Sequence, residues 1–250
     1  MSAPHVLVVA GHDPTGGAGI DADRRAAARF GARTTAIVTA ETEQDGQRVF
    51  EVRPRDPAQW LAEALAVTSV DAIKIGLLPG AEHVRAVVEL ARARRVPLVV
   101  DPVLASSGGT PFLDTAGQRA LLEELLPLGP VLTPNLPEAL LLAGAGVAGD
   151  GRAARLAAAA RLVELGARVV LLKGGHGRED PVQDLVFVAD AAPVWLARPR
   201  VAGASLHGSG CRFASAVAAQ VAAGAGWVDA ARAAGEWLAD LLAGRTQENR

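Results

Sequence analysis

The run Gly203-Ala204-Ser205-Leu206-His207-Gly208-Ser209-Gly210-Cys211 leads into an Ala-rich stretch of helical period. Small residues let a main chain approach an anion, and first-turn N–H groups point at it, so the run reads as an anion-binding helix start. Cys211 then lies at the positive end of the helix dipole, where the pKa of a thiol is expected to fall. A plain glycine turn before a buried cysteine has the same sequence, but this is the chain's single Cys, which favours chemistry.

The 25 basic residues comprise 23 Arg and two Lys, Lys74 and Lys173. The chain drifts toward Ala and Arg, so a residue type kept this rarely is needed where it stands. Lys173-Gly174-Gly175-His176 closes a β-branched run. A lysine there supplies compact positive charge to transferring phosphoryl oxygens; the plain alternative is a solvated charge. Lys74, inside Ala72-Ile73-Lys74-Ile75-Gly76, would bury an ammonium, which is costly without a partner. Asp101 on the next strand is one candidate, and structural pairing and ligand contact both stay open.

Asn135-Leu136-Pro137-Glu138 starts a helix directly after a strand. Asn135 suits the N-cap, Pro137 the first turn and Glu138 the positive end of the dipole, so capping alone accounts for them. The functional alternative sets both polar side chains on a hydrated Mg²⁺ beside phosphates, because that ion prefers oxygen ligands and keeps its waters.

Gly11-His12-Asp13-Pro14-Thr15-Gly16-Gly17-Ala18-Gly19-Ile20-Asp21-Ala22-Asp23 contains Gly17-x-Gly19-x-x-Ala22, a partial dinucleotide fingerprint with Glu41 at roughly the ribose-acid position. An Asp/Pro loop separates these glycines from the strand, and a nicotinamide site leaves Asn135, Lys173 and Cys211 unemployed. The five His residues show no zinc spacing. A Cys/His hydrolase needs His176 or His207 beside Cys211, but the glycine cradle argues for phosphate over acyl chemistry.

These residues fall at the ends of elements that alternate in type. Strands are expected near 5–10, 34–39, 71–75, 97–100, 130–132 and 168–172. Helices are expected near 18–31, 57–68, 81–95, 115–126, 136–144 and 152–165, the βαβ pattern of an α/β fold with a mostly parallel sheet. Leu156, Ala159, Ala160 and Val163 define the apolar face of the helix at 152–165, with its arginines elsewhere. Asp184–Val188 and Val194–Leu196 read as antiparallel edge strands, followed by helices near 211–223 and 227–243. Residues 1–250 read as one domain with a frayed tail at 244–250. Gly11 and Asp13, Glu41 to Gln44, Gly76, Asp101, Asn135 and Lys173 each follow a strand, and parallel sheets place ligands outside those carboxyl ends.

At 250 residues and a formal charge of −2, the chain has no basic surplus for nucleic acid. Its 52 Ala account for much of the 50% hydrophobic content. No apolar run reaches the length of a membrane helix. The amino end lacks a secretory pattern, and one Cys forms no internal disulfide, so the cytoplasm is the expected location.

Taken in order, six segments resemble the hydroxymethylpyrimidine/phosphomethylpyrimidine kinases of the ribokinase-like superfamily over roughly residues 5–240. They are Gly11–Asp23, Lys74-Ile75-Gly76-Leu77-Leu78, Asp101-Pro102-Val103, Thr133–Glu138, Lys173–His176 and His207–Cys211. The resemblance implies a three-layer α/β/α fold, ATP with Mg²⁺, a small pyrimidine substrate and a homodimer in thiamine biosynthesis. It implies Gly11, Asp13, Asp23 and Gln44 at the aminopyrimidine, and Asn135, Glu138 and Asp101 at magnesium and the nucleotide phosphates. It further implies Lys173 as the phosphate lysine, Gly208–Gly210 as the anion hole and Cys211 as the base.

The chain departs from the family at Leu206 and Arg212, where Thr is common, and Arg212 is expected to add positive charge to the anion hole. It also carries Glu41, Glu43 and Asp45 in a run that is usually uncharged. If these acids face the acceptor, they disfavour a phosphorylated one. A pyridoxal-type kinase and a catalytically weak pyrimidine or nucleotide sensor are the alternatives.

Overall fold

The computed structural model describes residues 2–45, 48–106, 108–175 and 179–248; His176, the last residue of the lysine motif, lies outside them. The elements on the amino-terminal side are β1 (His5–His12), α1 (Gly19–Arg29), β2 (Arg33–Gln44), β3 (Val49–Pro54), α2 (Pro57–Ala66), β4 (Ala72–Ile75) and α3 (Ala81–Arg94). Then come β5 (Leu98–Val100), α4 (Thr115–Ala120), β6 (Val131–Leu132), α5 (Leu136–Ala143), α6 (Arg152–Glu164) and β7 (Val169–Leu172). The chain closes with β8 (Val182–Val188), β9 (Val194–Arg198), α7 (Ser209–Ala222) and α8 (Trp227–Leu242).

Among the described residues nine strands form one sheet in the order β3-β2-β1-β4-β5-β6-β7-β8-β9. From β2 through β7 every pairing is parallel, whereas β3, β8 and β9 join antiparallel at the edges. Continuous apolar runs such as Val6-Leu7-Val8-Val9 mark strands covered on both faces. Their side chains alternate between two cores: Leu7, Val9, Ile73, Ile75, Leu132 and Leu172 face the cluster that includes residues of α2 to α6. Val6, Val8, Val99, Val131 and Leu171 face the cluster under α1, α7 and α8. The result is a ribokinase-like α/β sheet with helices on both sides.

From β1 the sheet grows first to β2, then on the other side to β4. That reversal opens a crevice at the carboxyl ends of β1 and β4, the place where ligands bind in such sheets. The loop at 13–18 lies on its β1 side.

Four expectations need correction. Strand β2 runs through Glu41–Gln44, which were expected to follow it, and pairs with the unforeseen β3. Both faces of β3 are largely solvated, so no apolar alternation betrays it. The helix expected at 115–126 is α-helical only to Ala120, then widens into a π turn at Leu121–Leu125 and tightens into a 3₁₀ turn at Leu126–Leu128. The buried face of α6 is Ala154, Arg155, Ala158, Ala159 and Leu162. Arg155 is interior because its guanidinium donates to Gln183 O (3.0 Å) and Glu179 Oε2 (2.7 Å). The tail expected to fray is tied at Glu248 by Arg25 and Arg212.

Candidate active site

Three strand ends meet the amino end of α7. Asp101 follows β5, Asn135 follows β6 and Lys173 follows β7, with a parallel bridge joining Asn135 to Lys173. Lys173 Nζ donates to Asp101 Oδ1 at 2.8 Å. A Cβ built on Gly210 would stand 3.0 Å from Lys173 Nζ and 3.3 Å from Asp101 Oδ2, so the pair lies directly against the first turn of α7. Burial works to discharge Lys173, but Asp101 and Glu138 outweigh it and hold its pKa above the ordinary value.

The α7 N-cap is Gly208, left-handed at φ 74°, which a glycine adopts without a side-chain penalty. The Ser209 amide turns back to Leu206 O (3.2 Å). Among the described residues the amides of Gly210 and Cys211 have no main-chain acceptor. Of the expected Gly208–Gly210 run, Gly210 therefore offers a main-chain amide free of helical pairing, and Cys211 offers the next.

The expected depression of the Cys211 pKa is reversed. Burial drives the thiol up to about 11, against the pull of Lys74 and the Gly19 amide, with Asp23 and Asp101 adding to the rise. Desolvation here outweighs the helix dipole, so the group is a neutral thiol near pH 7.

Capping accounts for Asn135 and Glu138. Asn135 Oδ1 accepts from the Glu138 amide (2.9 Å), and the Asn135 amide donates to Glu138 Oε2 (2.8 Å). Burial raises the Glu138 pKa, opposed by Lys173 and aided by Asp101. Among the described residues no three His, Cys, Asp or Glu side chains converge on a metal position. The donors present, Glu138 beside the Lys173–Asp101 pair, suit an ion that keeps its waters and takes its other oxygens from phosphates.

On the β1 side, two residues expected at the substrate, Asp23 and Asp13, make dense internal hydrogen bonds. Asp23 is fully buried, and Lys74 Nζ donates to both of its oxygens at 2.7 and 2.8 Å. Ser215 Oγ adds 2.8 Å to Oδ1. Lys74 thus pairs with Asp23, whereas Asp101, the candidate offered by the sequence, pairs with Lys173. Burial works against its charge, but Asp23, Cys211 and Asp101 keep its pKa above normal.

Asp13 is equally enclosed. It accepts from the Thr15 amide (2.9 Å), Thr15 Oγ1 (2.8 Å) and the Ala18 amide (2.8 Å), and it meets His207 Nε2 at 2.9 Å. Those hydrogen bonds together overcome burial and lower its pKa. Asp13 therefore shapes the 13–18 loop and moors it to the glycine loop. Gly11 lies between Leu77 and Ala40, and Gln44 sits farther along β2, donating to Thr42 Oγ1 (2.7 Å).

Arg212 spends its guanidinium on Glu248 and on the Gly17 and His207 carbonyls. Its Nε and Nη2 hold Glu248 at 2.6 and 2.8 Å. The three acids also separate: Glu41 meets His12 (2.6 Å), Glu43 meets Arg53 (2.8 Å) and Asp45 accepts from the Arg48 amide (2.7 Å).

Sequence reasoning missed Ser215, Asp184 and Glu248. Ser215 stands one turn after Cys211 on the same helix face, a signal that was readable. Asp184 takes the Gly174 amide at 2.6 Å, and its antiparallel partner strand hid that role. Glu248 carries no local signal.

A lysine–carboxylate pair laid on a glycine-started helix, with a thiol one residue on, is an arrangement for handling phosphoryl oxygens. A model of the phosphomethylpyrimidine kinase family matches residues 13–249. The chain belongs to this family.

Among curated relatives, the hydroxymethylpyrimidine/phosphomethylpyrimidine kinase of Rhizobium meliloti is 38% identical over 236 residues, covering 93% of this chain and 88% of the relative. The Haemophilus influenzae enzyme of the same description is 37% identical, covering 88% and 83%. A bifunctional thiamine biosynthesis protein of Geobacter sulfurreducens is 40% identical over 88% of this chain, which spans only 45% of that longer protein. Among solved structures, a Clostridium difficile phosphomethylpyrimidine kinase superposes with TM-score 0.80 at 26% identity, covering 96% of this chain and 99% of that one. The ADP complex of Bacillus subtilis pyridoxal kinase gives 0.83 at 28% identity, covering 94% and 90%. No helix of the described residues is long and apolar enough to cross a membrane.

Proposed function

We propose that the protein uses ATP to phosphorylate 4-amino-5-hydroxymethyl-2-methylpyrimidine, and then its monophosphate to the diphosphate, in thiamine biosynthesis. The observation that carries this is the Lys173–Asp101 pair seated against Gly210 at the start of α7, in a chain of this family. Phosphoryl transfer is mainly positioning and charge stabilisation. Lys173 and the Gly210 and Cys211 amides supply fixed positive charge for the transferring oxygens. Glu138 and Asp101, with Asn135 holding Glu138 in place, would hold a hydrated Mg²⁺ against the nucleotide phosphates, where the ion would neutralise further charge.

Cys211 faces the acceptor side, between Lys74 and the amides. In the first step the hydroxymethyl oxygen attacks phosphorus and releases its proton, which the small thiolate fraction of Cys211 takes up. In the second step the acceptor is a phosphate monoester already ionised near neutral pH, so no base is required. Gly11 and Gln44 line the pyrimidine side, while Asp23 and Asp13 hold that wall in shape.

We further assign the chain to a single domain acting in the cytoplasm as a homodimer. Strand β3 supports the dimer, being a sheet edge with Phe50 63% exposed. Pyridoxal is the second candidate acceptor, because structures of pyridoxal kinases superpose on this chain as well as the pyrimidine kinase does.

The deciding experiment incubates the purified protein with Mg·ATP and hydroxymethylpyrimidine and resolves products by mass. Mono- and diphosphate together establish both steps, and monophosphate alone restricts the enzyme to the first. Absence of both, with pyridoxal turned over, transfers the assignment to pyridoxal. ATP left intact with either acceptor refutes the kinase.

A further inference from the structure

We propose that Glu248 is a positioning residue for the phosphate cradle, acting through Arg212; the inference rests on the phosphotransfer assignment above. Arg212 follows Cys211 on α7 and is 4% exposed. Its Nη1 donates to two carbonyls, Gly17 O and His207 O, each at 2.7 Å. One belongs to the loop after β1, the other to the glycine loop before α7. The opposite edge of the guanidinium is filled by Glu248, at 2.6 and 2.8 Å. Arg25 of α1 donates to the same carboxylate (2.9 Å) and to Gly16 O.

One carboxylate therefore braces two guanidiniums that together grip three loop carbonyls. The loops have no slack between them: a Cβ on Gly208 would lie 2.4 Å from Gly17 O and 2.9 Å from Arg212 Nη1. A shift of Arg212 is transmitted directly to Gly208 and so to the Gly210 and Cys211 amides. A buried guanidinium requires its counter-charge. Burial works to neutralise Glu248, but Arg212 and Arg25 keep its pKa below the ordinary value.

The test compares Glu248→Gln, Arg212→Thr and the double variant with the unmodified protein. Hydrogen exchange is read over residues 13–18 and 205–211, and MgADP binding is read by calorimetry. Glu248→Gln should speed exchange in both segments and weaken MgADP, with the KM for MgATP rising about tenfold, the equivalent of one charge-assisted hydrogen bond. The acceptor KM should move less than about twofold, and Glu248→Gln should add less than about twofold on the Arg212→Thr background. Leu162→Ala, in the core beneath α6, should lower Tm without moving KM, separating positioning from general loss of stability.

Unchanged exchange, faster exchange with unaltered MgADP binding, or equal effects of Glu248→Gln in both backgrounds would each overturn the proposal. Unmodified protein that binds no MgADP refutes the kinase assignment itself. The exchange data still decide whether Glu248 braces the two loops.

Discussion

Lys173 and Asp101 meet at 2.8 Å across the end of β6, the strand that separates their own. Gly210 of α7 closes over the pair, and a Cβ there would press on Lys173 Nζ at 3.0 Å and Asp101 Oδ2 at 3.3 Å, tight enough that the lysine head must give way. Gly210→Ala should therefore shift Lys173 Nζ against Asp101 by a few tenths of an ångström. Alanine favours a helix over glycine by about 0.8–1 kcal/mol, so Tm should hold or rise while kcat falls at least about tenfold. Steady-state kinetics beside a thermal scan check this, and unimpaired turnover would remove the pair from the catalytic centre.

Cys211→Ala should damage the first phosphorylation more than the second, since only the first acceptor carries a hydroxyl proton. The Cys211 pKa is raised to about 11, so its thiolate fraction grows with pH across the neutral range. The first-step kcat/KM should then climb by about tenfold per pH unit from pH 7 to 9 and lose that slope in Cys211→Ala. Rate profiles for the two acceptors provide the check. Equal losses in both steps, or a flat first-step profile, would leave Cys211 as a hydrogen-bonding wall residue.

Lys74 and Asp23 form a fully buried ion pair. Lys74→Met alone strands the carboxylate and should cost about 3–5 kcal/mol, whereas Asp23→Leu with Lys74→Met should recover most of it. Denaturant unfolding of the single and double variants measures the difference. A single variant as stable as the parent would mean that Asp23 is neutral in the fold.

Among the three acids, Glu41 engages a β1 residue, meeting His12 at the strand end. Glu43 is held outward by Arg53. If like charge restrains the phosphorylated acceptor, Glu41→Gln should raise second-step kcat/KM by about two- to fivefold, with Glu43→Gln neutral, as expected for a charge screened beyond about 10 Å. Competition between the two acceptors gives the ratio directly.

Much of this protein was legible before any coordinates. Apolar runs and helical period located the parallel strands and their helices, because burial on both faces of a sheet leaves a local pattern. Lys173, Asp101, Gly210 and Cys211 stood out by rarity and by position after strands, and the fold brings them together. What stayed hidden depended on contacts between distant segments. The β2–β3 hairpin is solvated and shows no apolar alternation. Arg155 is interior only because Glu179 and Gln183 meet it.

The chemistry of individual groups was the least readable. Sequence placed Cys211 at a helix amino end, where the dipole lowers a thiol's pKa. Its burial among Asp23, Asp101 and Lys74 raises it instead, because desolvation depends on everything packed around the sulfur. In the same way the sequence set Asp13 just after the first strand, and the family resemblance implied Asp23 at the substrate. Only tertiary structure decided that their oxygens are spent on Thr15, Ala18, His207, Lys74 and Ser215. Residue type and local period are properties of the chain, whereas solvation and hydrogen-bond saturation are properties of the space around it.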